Sequence, residues 1–86
     1  MKKRIVFSKH AGAKIVLLEE HGFKINRSQV KETLRTPERI CAGYKNRKIA
    51  ERSISGEHLL RVVYEESSRE VKVITLYPAR RDRYEN

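Results

Sequence analysis

The chain has 86 residues, 38% hydrophobic and 36% charged, with 20 basic against 11 acidic side chains and a net charge of +9. That length holds one core, so a single domain over residues 1–86 is expected. A mean hydropathy of −0.71, a longest apolar run of only Ile15-Val16-Leu17-Leu18, and a single cysteine, Cys41, exclude a membrane-spanning helix and an internal disulfide and predict a cytoplasmic protein.

Lys3 to Phe7 reads as a short first strand. Ser8 is an N-cap for a helix from Lys9 to His21, in which Ala11, Ile15 and Leu18 share one face and Gly22 stops the helix. Asn26 with Gln29 makes a capping-box pattern for a second helix, flanked by a hydrophobic staple of Ile25 and Val30. Val30 and Leu34 face inward, and Thr36-Pro37 ends the helix because proline disfavours helical geometry in the residue before it. Beyond Pro37 the apolar period drops to two. Arg39–Tyr44, Arg47–Ile54, His58–Glu66 and Glu70–Tyr77 read as four strands of an antiparallel meander. The turns are Lys45-Asn46, Ser55-Gly56-Glu57 and Ser67-Ser68-Arg69. The last two strands are the richest in β-branched and aromatic residues and are expected at the centre, with Pro78 to Asn86 as a basic tail. The predicted fold class is α+β: two N-terminal helices on one face of a small, mostly antiparallel sheet, with the other face left free.

The charge is uneven. Met1 to Leu18 carries five basic residues and no acid, and Arg39 to Arg52 carries five against Glu51 alone, while Glu65, Glu66 and Glu70 cluster elsewhere. Such a field on a small domain suits a polyanion, so a nucleic acid is the expected partner. Phosphate-binding glycine loops and a GxSxG nucleophile context do not occur. Cys41, His10, His21 and His58 stand at none of the spacings that zinc modules use, so no metal and no cofactor is expected. His10, beside Lys9 and Lys14 in the first helical turn, could exchange a proton near neutral pH or serve merely as a surface histidine. Arg61 interrupts Leu59-Leu60-Arg61-Val62-Val63 and either faces an anion or alternates onto a solvated face. Lys45, Arg47 and Lys48 crowd one hairpin end. Together with Tyr44, Tyr64, Tyr77 and Tyr84 they form a basic–aromatic set that suits single-stranded RNA better than duplex DNA.

The His10-Ala11 pair opening the first helix, the glycine-led entry to the second, Leu60-Arg61-Val62-Val63, and the Val-Ile-Thr-Leu-Tyr strand followed by arginines and Tyr84 resemble the RelE-like toxins of toxin–antitoxin pairs. The likeness is to a small uncharacterised family near the BrnT branch and covers nearly the whole chain. It implies a metal-independent endoribonuclease that cleaves mRNA, free or ribosome-associated, and is neutralised by a cognate antitoxin. In that reading Arg61, Arg80 and Arg81 hold the phosphate and His10 or Tyr84 moves protons, with Lys9, Lys14, Lys45, Arg47, Lys48 and Tyr77 contacting RNA. Two alternatives stand beside it: a non-catalytic nucleic-acid-binding module, and a protein-targeting toxin of the ParE-like kind.

Overall fold

In a computed structural model, which describes residues 3–84 and their side chains as far as Asp82, the chain runs from strand β1 (Arg4–Phe7) into helices α1 (Lys9–Glu20) and α2 (Arg27–Arg35). It continues through strands β2 (Arg39–Ala42), β3 (Lys48–Ser53), β4 (His58–Glu66) and β5 (Glu70–Arg80) to one helical turn, α3 (Arg81–Tyr84). The fold is α+β. Five strands form one sheet in the order β1-β5-β4-β3-β2. β1 is parallel to β5, and every other pairing is antiparallel. A parallel pair needs a long crossover, and the α1–α2 unit with the three following strands supplies it.

Both helix starts are set by their caps. The Ser8 hydroxyl accepts from the Ala11 amide at 3.0 Å, and the Asn26–Gln29 box is reciprocal, each side chain accepting from the other's backbone N–H. The staple residues Ile25 and Val30 are both buried in the core. Gly22 takes φ +93° after α1, a conformation that a side chain would strain. Ala11 and Leu18 from α1 and Val30 from α2 pack on Leu60, Val62, Val73 and Leu76, so α1 and α2 cover one face of the sheet. Thr33, not Leu34, is the most buried residue on the C-terminal half of α2. Its hydroxyl is satisfied by donating to the Gln29 carbonyl at 2.8 Å.

β4 is the middle strand, with β5 beside it, as the residue types predict. β5 departs from expectation in two ways. It runs to Arg80, so Pro78 lies in the strand, opposite Leu60. Proline is tolerated where its missing N–H faces an uncovered edge, and β1 covers β5 only as far as the Phe7–Val73 pair. The register also slips: Val63 pairs Thr75, but Tyr64 pairs Val73, leaving Ile74 as an extra residue. This bulge anchors α1. The Ser8 amide donates to the Val73 carbonyl at 3.0 Å and the Ser8 hydroxyl to the Ile74 carbonyl at 2.9 Å.

Candidate nucleic-acid interface

On the sheet face away from α1 and α2, alternation and register place side chains in rows. Ile49, Val63 and Thr75 lie side by side, with Cys41 beyond them on β2. The next row is Arg39, Glu51, Arg61 and Tyr77, each directly opposite its neighbour across four strands. This row is ionic and sunk into the sheet. Glu51 is 2% exposed and Arg61 9%. The two Glu51 carboxylate oxygens face the Nε atoms of Arg39 at 2.8 Å and Arg61 at 2.7 Å. Arg61 Nη1 donates to the Tyr77 hydroxyl at 2.8 Å, and its guanidinium carbon lies 5.6 Å from that ring's centre. Two cations on one carboxylate satisfy the cost of burying it. Accepting the Arg39 bond, Glu51 raises that guanidinium's pKa further.

Beside this row is an open cleft of about 590 Å³ lined by Ala42, Gly43, Tyr44, Arg47, Ile49, Val63 and Tyr77. Tyr44 is 91% exposed at its edge. The backbone at Tyr44 is fixed by the turn from Tyr44 to Arg47, closed by a 3.0 Å bond from the Arg47 amide to the Tyr44 carbonyl. Lys45 and Asn46 both take left-handed geometry, at φ +57° and +63°, the pattern of a type I′ turn. Gly43 stands at its base, where a Cβ would be crowded by the Arg47 carbonyl oxygen at 3.2 Å.

The sequence-assigned site residues divide between the two faces. Lys9, His10 and Lys14 belong to α1, in the helix layer, with Lys9 and His10 exposed. Arg61 and Tyr77 stand on the opposite face, and Lys45 and Arg47 at its β2–β3 end. Lys48 pairs across the strands with Tyr64, on the helix side of the sheet. Arg80 is exposed opposite His58, 3.6 Å from Asp82. Arg81 donates to the Ser53 hydroxyl at 2.9 Å, bringing α3 to one end of the face that was expected to be free. The Tyr84 side chain lies outside the described residues. His58 meets the Phe23 ring edge-on at 5.4 Å.

Three expectations change. Tyr64 is 6% exposed on the helix side, where burial pushes its phenol pKa up, so it is a core residue and not a stacking platform. The acidic cluster is not segregated from the bases. Glu65 pairs Arg47 at 3.0 Å, and Glu66 pairs Lys3 at 2.7 Å and Lys48 at 3.4 Å. Arg61 faces a carboxylate of its own sheet instead of standing ready for phosphate. Glu51, the residue that organises this face, was counted in the sequence only as a lone acid among bases. The usable signal was its position: Glu51 and Arg61 are equidistant from Gly56 at the hairpin turn. At the end of the same face, Glu38 accepts from the Ser53 amide at 3.1 Å and the Ser53 hydroxyl at 3.0 Å. Those bonds hold its carboxyl below the ordinary value, with Arg81 and Arg52 adding to the effect.

No helix among the described residues is long and apolar enough to cross a membrane, and no group of three or more His, Cys, Asp or Glu among them is placed to hold a metal. The chain matches no protein-family model, no curated protein and no solved structure.

Proposed function

We propose that the protein binds single-stranded RNA on the sheet face opposite its helices and, as the likeness to RelE-like toxins implies, cleaves it without a metal. The observation that carries the RNA reading is the Tyr44–Tyr77 cleft. It offers two rings and apolar walls beside Lys45 and Arg47, on a chain of net charge +9. Stacking surfaces with flanking cations are what an unpaired strand requires. Arg61 then acts as a positioning residue. Held by Glu51, it orients the Tyr77 hydroxyl and ring, and the phosphate-binding role passes to Lys45 and Arg47 at the rim.

Cleavage in this reading is an internal transfer. The ribose 2′-oxygen bonds to the adjacent phosphorus and the bond to the 5′-oxygen breaks, leaving a 2′,3′-cyclic phosphate and a 5′-hydroxyl. One group takes the 2′-OH proton and another returns a proton to the leaving oxygen. The likeness to RelE-like toxins gives His10 or Tyr84 as the proton carrier, and rim cations stabilise charge on the phosphoryl oxygens. An acidic antitoxin segment is proposed to cover the same face.

Binding without cleavage is a second reading, favoured by one observation: His10 stands in the helix layer, and Tyr77 and Arg61 on the other face. End-labelled RNA incubated in EDTA, with a parallel metal-containing reaction on translating ribosomes, separates the two. Discrete cuts abolished by His10→Ala or by Tyr84→Ala, with RNA affinity retained, are the expected result. Salt-sensitive binding with no cuts in either arm would replace the enzyme by the binder.

A further inference from the structure

From the geometry of the β2–β3 turn we infer that the Tyr44–Tyr77 cleft is a base pocket, built to take one unpaired nucleobase between the two tyrosine rings. This deepens the RNA reading and rests on it.

Four observations converge. Tyr44 is the most exposed large hydrophobic side chain among the described residues, at 91%, so the fold gains almost no core from it. Its position is nevertheless tightly specified. The turn places two consecutive non-glycine residues, Lys45 and Asn46, in left-handed geometry, which costs free energy that a glycine would avoid. A Cβ at Gly43 would crowd the Arg47 carbonyl oxygen at 3.2 Å. The walls are apolar, from Ala42, Ile49 and Val63, and the volume of about 590 Å³ is within the range of small-ligand sites. Finally, the polar groups are at the rim. Lys45 is exposed in the turn, and Arg47 is shared with Glu65 at 3.0 Å on the partly exposed end of the face.

Apolar walls with cations confined to the rim fit a flat aromatic ligand whose charge is attached outside it. A nucleotide has that form: the base enters and the phosphate stays with Lys45 and Arg47. Tyr77 also lines the cleft, its hydroxyl accepting from Arg61, while the exposed Tyr44 ring is open to contact with a base. A free phosphate has no use for the apolar walls.

The test is fluorescence anisotropy at low salt with two labelled eight-nucleotide probes, oligoadenylate and an abasic ribose-phosphate chain of equal charge. Base–aromatic stacking predicts that Tyr44→Ala weakens oligoadenylate binding about tenfold and leaves the abasic probe unchanged. Tyr44→Phe should restore oligoadenylate affinity, since the ring and not the hydroxyl stacks. Tyr44 is exposed, so folding is not at risk, and a circular dichroism spectrum verifies that. If Tyr44→Ala leaves oligoadenylate affinity unaltered while Lys45→Ala weakens both probes, the pocket is refuted and the RNA reading survives. If the wild-type protein binds neither probe, the RNA reading fails and the pocket with it.

Discussion

Replacing Glu51 by glutamine removes the one negative charge in the buried row and leaves Arg39 and Arg61 facing a neutral amide. Arg39 has a side chain 43% exposed and can turn to water, but Arg61, at 11%, cannot. Breaking a buried ion pair from one side costs about 3–5 kcal/mol, because the remaining charge is left uncompensated. An 86-residue domain has a total stability of roughly 4–13 kcal/mol, so the loss takes a large share of it. At about 4–8 °C per kcal/mol for a domain of this size, the melting temperature should fall by some 12 °C or more. The double variant Glu51→Leu/Arg61→Met supplies the contrast. Buried ion pairs are often replaced by apolar residues of similar volume at little cost, so the double variant should lie within about 1–2 kcal/mol of wild type, a coupling of several kcal/mol. Urea unfolding followed by circular dichroism measures Glu51→Gln and the four corners of the cycle: wild type, Glu51→Leu, Arg61→Met and the double variant. A Glu51→Gln penalty under about 1 kcal/mol, or single-variant losses that simply add in the double variant, would refute a closed buried row.

Further expectations follow from other parts of the fold. Lys45→Gly relieves the left-handed strain at φ +57° and should stabilise the protein by about 1 kcal/mol, with RNA binding less salt-dependent by roughly one phosphate contact; a loss of stability in urea would contradict the turn assignment. Leu60→Ala empties a fully buried position in the middle strand and should cost about 2–5 kcal/mol by the same assay. Acid should unfold the protein through two surface carboxyls. Bonds from Ser53 hold Glu38, and a bond from Lys3 holds Glu66, below the ordinary value of 4.5. A carboxyl lowered in the fold contributes stability that is complete above its unfolded pKa and is lost as pH falls through the folded one. The urea midpoint should therefore be level near neutrality and decline below about pH 4.5, less steeply in Glu38→Gln; a midpoint that rises on acidification would contradict this.

Local chemistry carried most of the fold into the sequence. The Asn26–Gln29 box, the Ile25–Val30 staple and the Ser8 cap are contacts within a few residues, and each is made as written. The hairpin turns were legible for the same reason. What escaped the sequence depends on register. Ile74 bulges from β5, and a single extra residue exchanges the faces of everything beyond it. Tyr77 therefore faces the cleft although Val73, four residues earlier on the same strand, faces the core. Glu51 becomes the centre of the far face only once two hairpins align it with Arg39 and Arg61. β5 continuing through Pro78 could not be anticipated, because the open edge that tolerates proline exists only where β1 stops.

The central claim is that RNA meets the face opposite the helices, and amide chemical-shift mapping of the isotope-labelled protein during titration with a short single-stranded RNA tests it most directly. The account predicts shifts concentrated at Tyr44, Lys45, Arg47, Val63 and Tyr77, with the outward residues of α2, and of α1 beyond its first turn, unmoved. Shifts confined to the helix layer around Lys9, His10 and Lys14, or none at low salt, would contradict it.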